Sequence, residues 1–169
     1  KKGISVMKLH RDLGISYNAA WRMKHKIMQV MLERDHDKKI SGIIELDDAY
    51  IGGERTGGKR GRGASGKTPF VAAVETTGDG SPTRIKLSTV SGFRKSEIKA
   101  WSEQHIVAGS TVISDGLACF NAVTDAGCAH EKIVCGGGRA SVEAPEFYWV
   151  NTILGNLKSS LRSTYHAIR

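Results

Sequence analysis

Two periodicities divide the chain. Up to about residue 31, apolar residues recur at helical spacing. Val6, Leu9 and Leu13 mark a first short helix, and Gly14 stands where a left-handed C′ residue is expected. Ser16 is a suitable N-cap for a second helix. That helix carries Ala20, Met23, Ile27 and Val30 on one stripe, the expected core face. Asn18, Arg22, His25 and Gln29 form the opposite stripe, with Lys26 alongside. Residues 33–39 read as a solvated, charged linker. From Ser41 the period shortens to two. Residues 42–51 form a strand with Ile43, Glu45 and Asp47 on one face and Ile44, Leu46 and Asp48 on the other. The glycine-rich stretch 52–67 has no period and reads as a long basic loop. Strands at 70–75 and 84–90 flank the turn Gly78-Asp79-Gly80, completing an antiparallel three-strand meander.

The second half alternates. Residues 95–106 read as a helix with Ile98 and Trp101 inward, 111–114 as a short apolar strand, 117–123 as a helix and 132–135 as a strand. A long helix then starts near Pro145, an allowed first-turn residue, and runs to about Arg162. Its buried stripe is Phe147, Val150, Leu154, Leu157 and Leu161. The order βββαβαβα predicts an α/β domain, a mixed sheet flanked by helices, in the order of an RNase H-like fold. The expected division is a small all-α helix-turn-helix segment over residues 1–40 and the α/β domain over 41–169.

Charge sharpens the reading. The net charge of +8 is concentrated. Residues 1–39 hold ten Lys/Arg against four Asp/Glu, 54–67 hold five against one, and the stretch from Lys158 onward adds three basic residues. Basic segments around a less basic body suit a polyanion such as DNA. A helix-turn-helix would place Asn18, Arg22, His25, Lys26 and Gln29 toward the major groove. Arg55, Lys59, Arg60, Arg62 and Lys67 of the glycine-rich loop would follow the backbone. No apolar run approaches the length of a membrane span. Three cysteines without a CxxC pair suit a reducing cytoplasm. Cys128, His130 and Cys135 lack a fourth ligand and regular spacing for zinc.

Asp47 lies within an otherwise apolar strand, and Asp115 ends the fourth. A carboxylate in a strand interior needs a partner, and divalent cations are efficient ones. The alternative for Asp115-Gly116 alone is an ordinary strand-end turn. Asn151 and Lys158, seven residues apart, differ by only about 20° around a helix axis. Both flank the apolar stripe, so Asn151 can complete a metal site and Lys158 can reach DNA beyond it.

Four ordered pieces carry a resemblance: ELDDAYIGG (45–53), VISDG (112–116), VNTILGNLK (150–158) and STYH (163–166). Together they resemble the ISXO-like insertion-sequence transposases of the Asp-Asp-Glu class, which have RNase H-like catalytic domains. LGISY (13–17) and AWRM (20–23) are similar to the helix-turn-helix preceding that domain. The resemblance implies Asp47 and Asp115 as metal-binding acids, a third ligand at Asn151 and a catalytic Lys158. It implies Mg²⁺ or Mn²⁺ as cofactor, and two-metal cleavage and strand transfer on double-stranded DNA at transposon ends and target. It also implies a homo-oligomer, a nucleoid-associated bacterial location and a zinc ribbon, which would lie before Lys1. Asn151 stands where much of the class has Glu, leaving the three-residue site at −2 rather than −3, and Glu143 or Glu146 is an alternative source of charge. Two rival functions follow: a catalytically decayed or domesticated copy that only binds DNA, and another RNase H-like nuclease acting on hybrids or junctions.

Overall fold

The computed structural model describes residues 4–52, 66–134 and 144–164. The chain divides into two compact units, Lys1–Lys38 and Lys39–Arg169.

The first unit holds α1 (Val6–Leu13) and α2 (Tyr17–His36). Ser5 caps α1 by accepting from the Lys8 amide at 3.1 Å, and Gly14 closes it at φ 63°. Ser16 then caps α2 through the Ala19 amide at 3.2 Å. The helix boundaries between Leu13 and Tyr17 are therefore written in local chemistry. Two expectations change. The charged stretch after Glu33 continues α2 to His36 instead of forming a linker. Of the apolar stripe on α2, Ala20 is buried, whereas Met23, Ile27 and Val30 are 41–52% exposed. The eight-residue α1 is too short to cover a helix of 20 residues.

The second unit is built on a five-stranded mixed sheet: β1 (Ile43–Ile51), β2 (Thr68–Thr76), β3 (Pro82–Thr89), β4 (Thr111–Ser114) and β5 (Ala129–Lys132). The spatial order is β3-β2-β1-β4-β5. The three meander strands are antiparallel, and β1/β4 and β4/β5 are parallel. The connection from the edge strand β3 to β4, on the far side of β1, runs through α3 (Lys95–His105). The architecture is α/β and compatible with an RNase H-like fold.

The last strand lies three residues earlier than its apolar pattern predicts. Ala129–Lys132 pairs with Thr111–Ser114, and the Ile133 amide then bonds the Ser114 carbonyl at 3.0 Å. A four-residue strand at the sheet edge leaves most of its side chains exposed, so apolarity is a poor guide to its register. The segment expected as a helix over 117–123 is a 3-10 helix, Ala118–Ala126, closed by Gly127 at φ 79°. Pro145–Phe147 is likewise a 3-10 turn, leading into α4 (Tyr148–Thr164).

Alternation along β1 separates two cores. Ile44 and Leu46 join Ile98, Trp101, Val112, Phe120 and Val123 beneath α3 and the 3-10 helix. Ala49 joins Phe70, Ala72, Val74, Phe147, Val150 and Leu154 beneath α4. The sheet is thus covered on both faces, which is what its parallel half requires.

Candidate metal centre

The acids sit on the central strand β1 and at the turn that ends its neighbour β4. The parallel register pairs Leu46 with Ser114, so Asp47 and Asp115 follow side by side where β4 ends. Asp115 is held by its own turn: its Oδ1 accepts from the Leu117 amide at 3.0 Å, while Gly116 takes φ 86°. An alanine Cβ at 116 would lie 2.3 Å from Cε of Lys132, whose stem crosses the turn. Asp47 Oδ1 accepts from the Asp48 amide at 2.8 Å.

Asp47, Asp48 and Asp115 each offer an oxygen, and these atoms lie within 4.8 Å of one another. All three residues are half-buried. The sequence assigned Asp48 to the opposite strand face and gave it no role. The signal for it was the acidic pair Asp47-Asp48 itself, at the point along β1 where the pairing with β4 stops. An all-oxygen trio of this size suits a hard divalent cation. Among the described residues, it is the group of acids, histidines and cysteines that could hold one.

The α4 helix starts against this strand. Glu45 is 5% exposed, and its carboxylate accepts from the Val150 amide at 2.7 Å and from the Trp149 amide. Burial pushes the Glu45 carboxyl above the usual range, and the two amides oppose that shift. Trp149 fastens the same helix end elsewhere: its Nε1 donates to the Gly80 carbonyl in the β2–β3 turn at 2.7 Å. Asn151 follows Val150 and is half-buried, whereas Lys158 is exposed on an open depression with Gly155, Ser159 and Arg162. Glu146 is exposed, and Glu143 lies outside the described residues.

Beside Asp115, Ser114 Oγ lies 2.9 Å from His130 Nε2. Burial, and then the nearby Lys132 charge, hold the His130 imidazole below its ordinary pKa. Sequence reading gave this pair no place.

On the first unit, Asn18, Arg22, His25, Lys26 and Gln29 are all exposed on α2. His25 stacks with Trp21 at 4.1 Å between ring centroids, and Gln29 donates to Glu33 at 2.9 Å. Lys67 is exposed just before β2, while Arg55, Lys59, Arg60 and Arg62 lie outside the described residues. No helix among the described residues is long and apolar enough to cross a membrane.

A family model described as the ISXO2-like transposase domain matches residues 39–169. No curated protein matches the chain significantly.

Proposed function

The chain belongs to the ISXO2-like transposase family, and we propose that it cuts DNA at the ends of a mobile element and joins those ends to target DNA with divalent-metal assistance. The observation that carries this reading is the meeting of Asp47, Asp48 and Asp115 oxygens within 4.8 Å.

The donor set fits Mg²⁺ or Mn²⁺, with Asp47 and Asp115 as the principal ligands, Asp48 beside them and Asn151 from α4. Asp48 supplies the charge that an amide at 151 lacks. Two ions bound there would supply Lewis-acid stabilisation to charge developing on the attacking and leaving oxygens. Cleavage is hydrolysis: water adds to phosphorus, the P–O3′ bond breaks, and a free 3′-hydroxyl remains. In transfer that hydroxyl attacks a target phosphate, forming a new P–O3′ bond as the target's own breaks. One site can serve both steps because both are in-line displacements at phosphorus.

The chain's residues hold the DNA around that chemistry. Lys158 is the catalytic lysine in this reading, meeting a phosphate near the reacting bond, with Arg162 one turn further along α4. Lys67, with Arg55, Lys59, Arg60 and Arg62, follows the backbone. The exposed stripe of α2 (Asn18, Arg22, His25, Lys26 and Gln29) acts as the recognition helix of a helix-turn-helix. Transposition needs two ends held together, so the working form is a homo-oligomer.

The test is Mg²⁺-dependent cleavage of DNA bearing the element's termini. Asp47→Ala and Asp115→Ala should each abolish cleavage while DNA binding persists. Retained cleavage in both would remove the assignment. Asn151→Glu separates a native amide site from a decayed one: a loss of activity supports the native site, and a large gain supports decay.

A further inference from the structure

We propose that Glu45 is a positioning residue of the metal centre, a buried carboxylate that sets the place of α4, and with it Asn151 and Lys158, against the strand that carries Asp47. This deepens the reading above and rests on it.

The first turn of an α-helix exposes amides that need acceptors. Here the residue before α4 is Phe147, whose side chain has no atom to accept them. The acceptor comes instead from 105 residues earlier in the chain, where Glu45 Oε2 takes the Val150 amide at 2.7 Å. Hydrogen bonds between an ionised group and backbone amides are shorter and stronger than neutral ones. Glu45 is two residues from Asp47 on the same strand face, and Val150 is the residue before Asn151. One side chain therefore spans the two elements on which the proposed ligands sit. Asn151 and Lys158 follow on one rigid helix, so a shift of its first turn moves both. Trp149, bonded to Gly80 at 2.7 Å, fastens the same turn to the sheet's hairpin and resists rotation about the Glu45 contact.

A glutamate chosen only to fill this space would be a poor choice. Apolar residues line the rest of the α4 core, and a buried carboxylate costs free energy that a leucine would not. Fixing a direction is what the carboxylate adds. Groups that orient metal ligands typically change metal affinity by about 10–100-fold when lost.

The experiment uses the full chain and Mn²⁺ alone, with free Mn²⁺ followed by electron paramagnetic resonance. Glu45→Ala should weaken Mn²⁺ binding about tenfold, and Glu45→Gln, which keeps an acceptor oxygen, should restore most of it. Asn151→Ala should weaken binding similarly, and adding Glu45→Ala to it should weaken binding little further, since both act through one ligand. Ile98→Val, in the core on the opposite sheet face, serves as a control that loses stability without losing affinity. If Glu45→Ala does not fold, Glu45→Asp, which withdraws the carboxylate by one methylene, replaces it. The proposal is overturned if the Glu45 variants lose thermal stability while binding Mn²⁺ like wild type. If instead Asn151→Ala leaves Mn²⁺ binding unchanged, Asn151 is no ligand and the positioning role is overturned while the acidic trio stands; if the wild type binds no Mn²⁺, the metal-site reading itself fails.

Discussion

Charge balance at the acidic trio gives a prediction whose sign depends on the metal. Two unit charges at 4.8 Å, the upper limit of the oxygen separations in the trio, repel by about 3–4 kcal/mol at an effective dielectric near 20, and by about 1 kcal/mol in bulk water. The three acids are half-buried, so each pair contributes on the order of 1 kcal/mol after allowance for screening. Asp48→Asn removes two such repulsions at nearly constant shape. Asp48 also has an interaction of its own, and allowing about one hydrogen bond's worth for its loss leaves a net gain of roughly 1 kcal/mol. In excess chelator the variant should therefore melt about 3–4 °C above wild type. With Mg²⁺ the order should narrow or reverse. Wild type gains about 2.7 kcal/mol at a metal concentration 100 times its Kd, and each tenfold loss of affinity in the variant forfeits about 1.4 kcal/mol of that gain. The assay is calorimetry of both proteins in chelator and in Mg²⁺ at matched ionic strength, because salt screens the same charges. A variant that melts below wild type in chelator, with an equal shift on adding Mg²⁺, would refute the claim that these carboxylates crowd one cation site.

Three further outcomes can be checked. Gly116→Ala puts an L side chain at φ 86° and drives its Cβ to 2.3 Å from the Lys132 stem, so chemical denaturation should show a loss of about 1–2 kcal/mol or more. His130 is held below its ordinary pKa of 6.5, so the unfolded chain takes up the proton first; stability should fall as pH drops through about 6.5. His130→Gln should flatten that part of a pH–stability curve. On α2, Lys26→Ala should weaken DNA binding uniformly across sequences and lower the salt slope by about one, whereas Arg22→Ala should change sequence preference, as read by binding to a randomised duplex pool.

Much of this architecture was legible because it is written in local patterns. The Ser16 cap, the Gly14 turn and the alternation of β1 each depend on near neighbours in sequence. The strands of the meander appear with boundaries within about two residues. What escaped depends on distance along the chain. Nothing near Glu45 announces that its partners are amides at 149 and 150, because helix capping is normally done by a neighbour. Asp48 was set aside on strict alternation, yet it joins Asp47 and Asp115 at the end of the β1–β4 pairing. The Ser114–His130 contact needed the register of β5, and the pattern placed that strand three residues late. On α2 the apolar stripe was correctly located, but its burial was not, since a period says which face is apolar and not whether anything covers it.

The parallel pairing of β1 and β4 has a mechanical consequence. Adjacent strands in a sheet are held about 4.8 Å apart by their ladder of hydrogen bonds; Asp47 lies on β1, and Asp115 is the residue that follows β4, its neighbour inside the five-stranded sheet. The backbones that carry the two acids are therefore anchored by the ladder one residue before each of them. In the function proposed above, a centre anchored in this way leaves much of the fitting to the duplex. Steps that unstack cheaply, such as pyrimidine–purine steps, then become the natural places for insertion. On that proposal, the choice of target would be made partly by the stiffness of the DNA, at base pairs that no side chain needs to read.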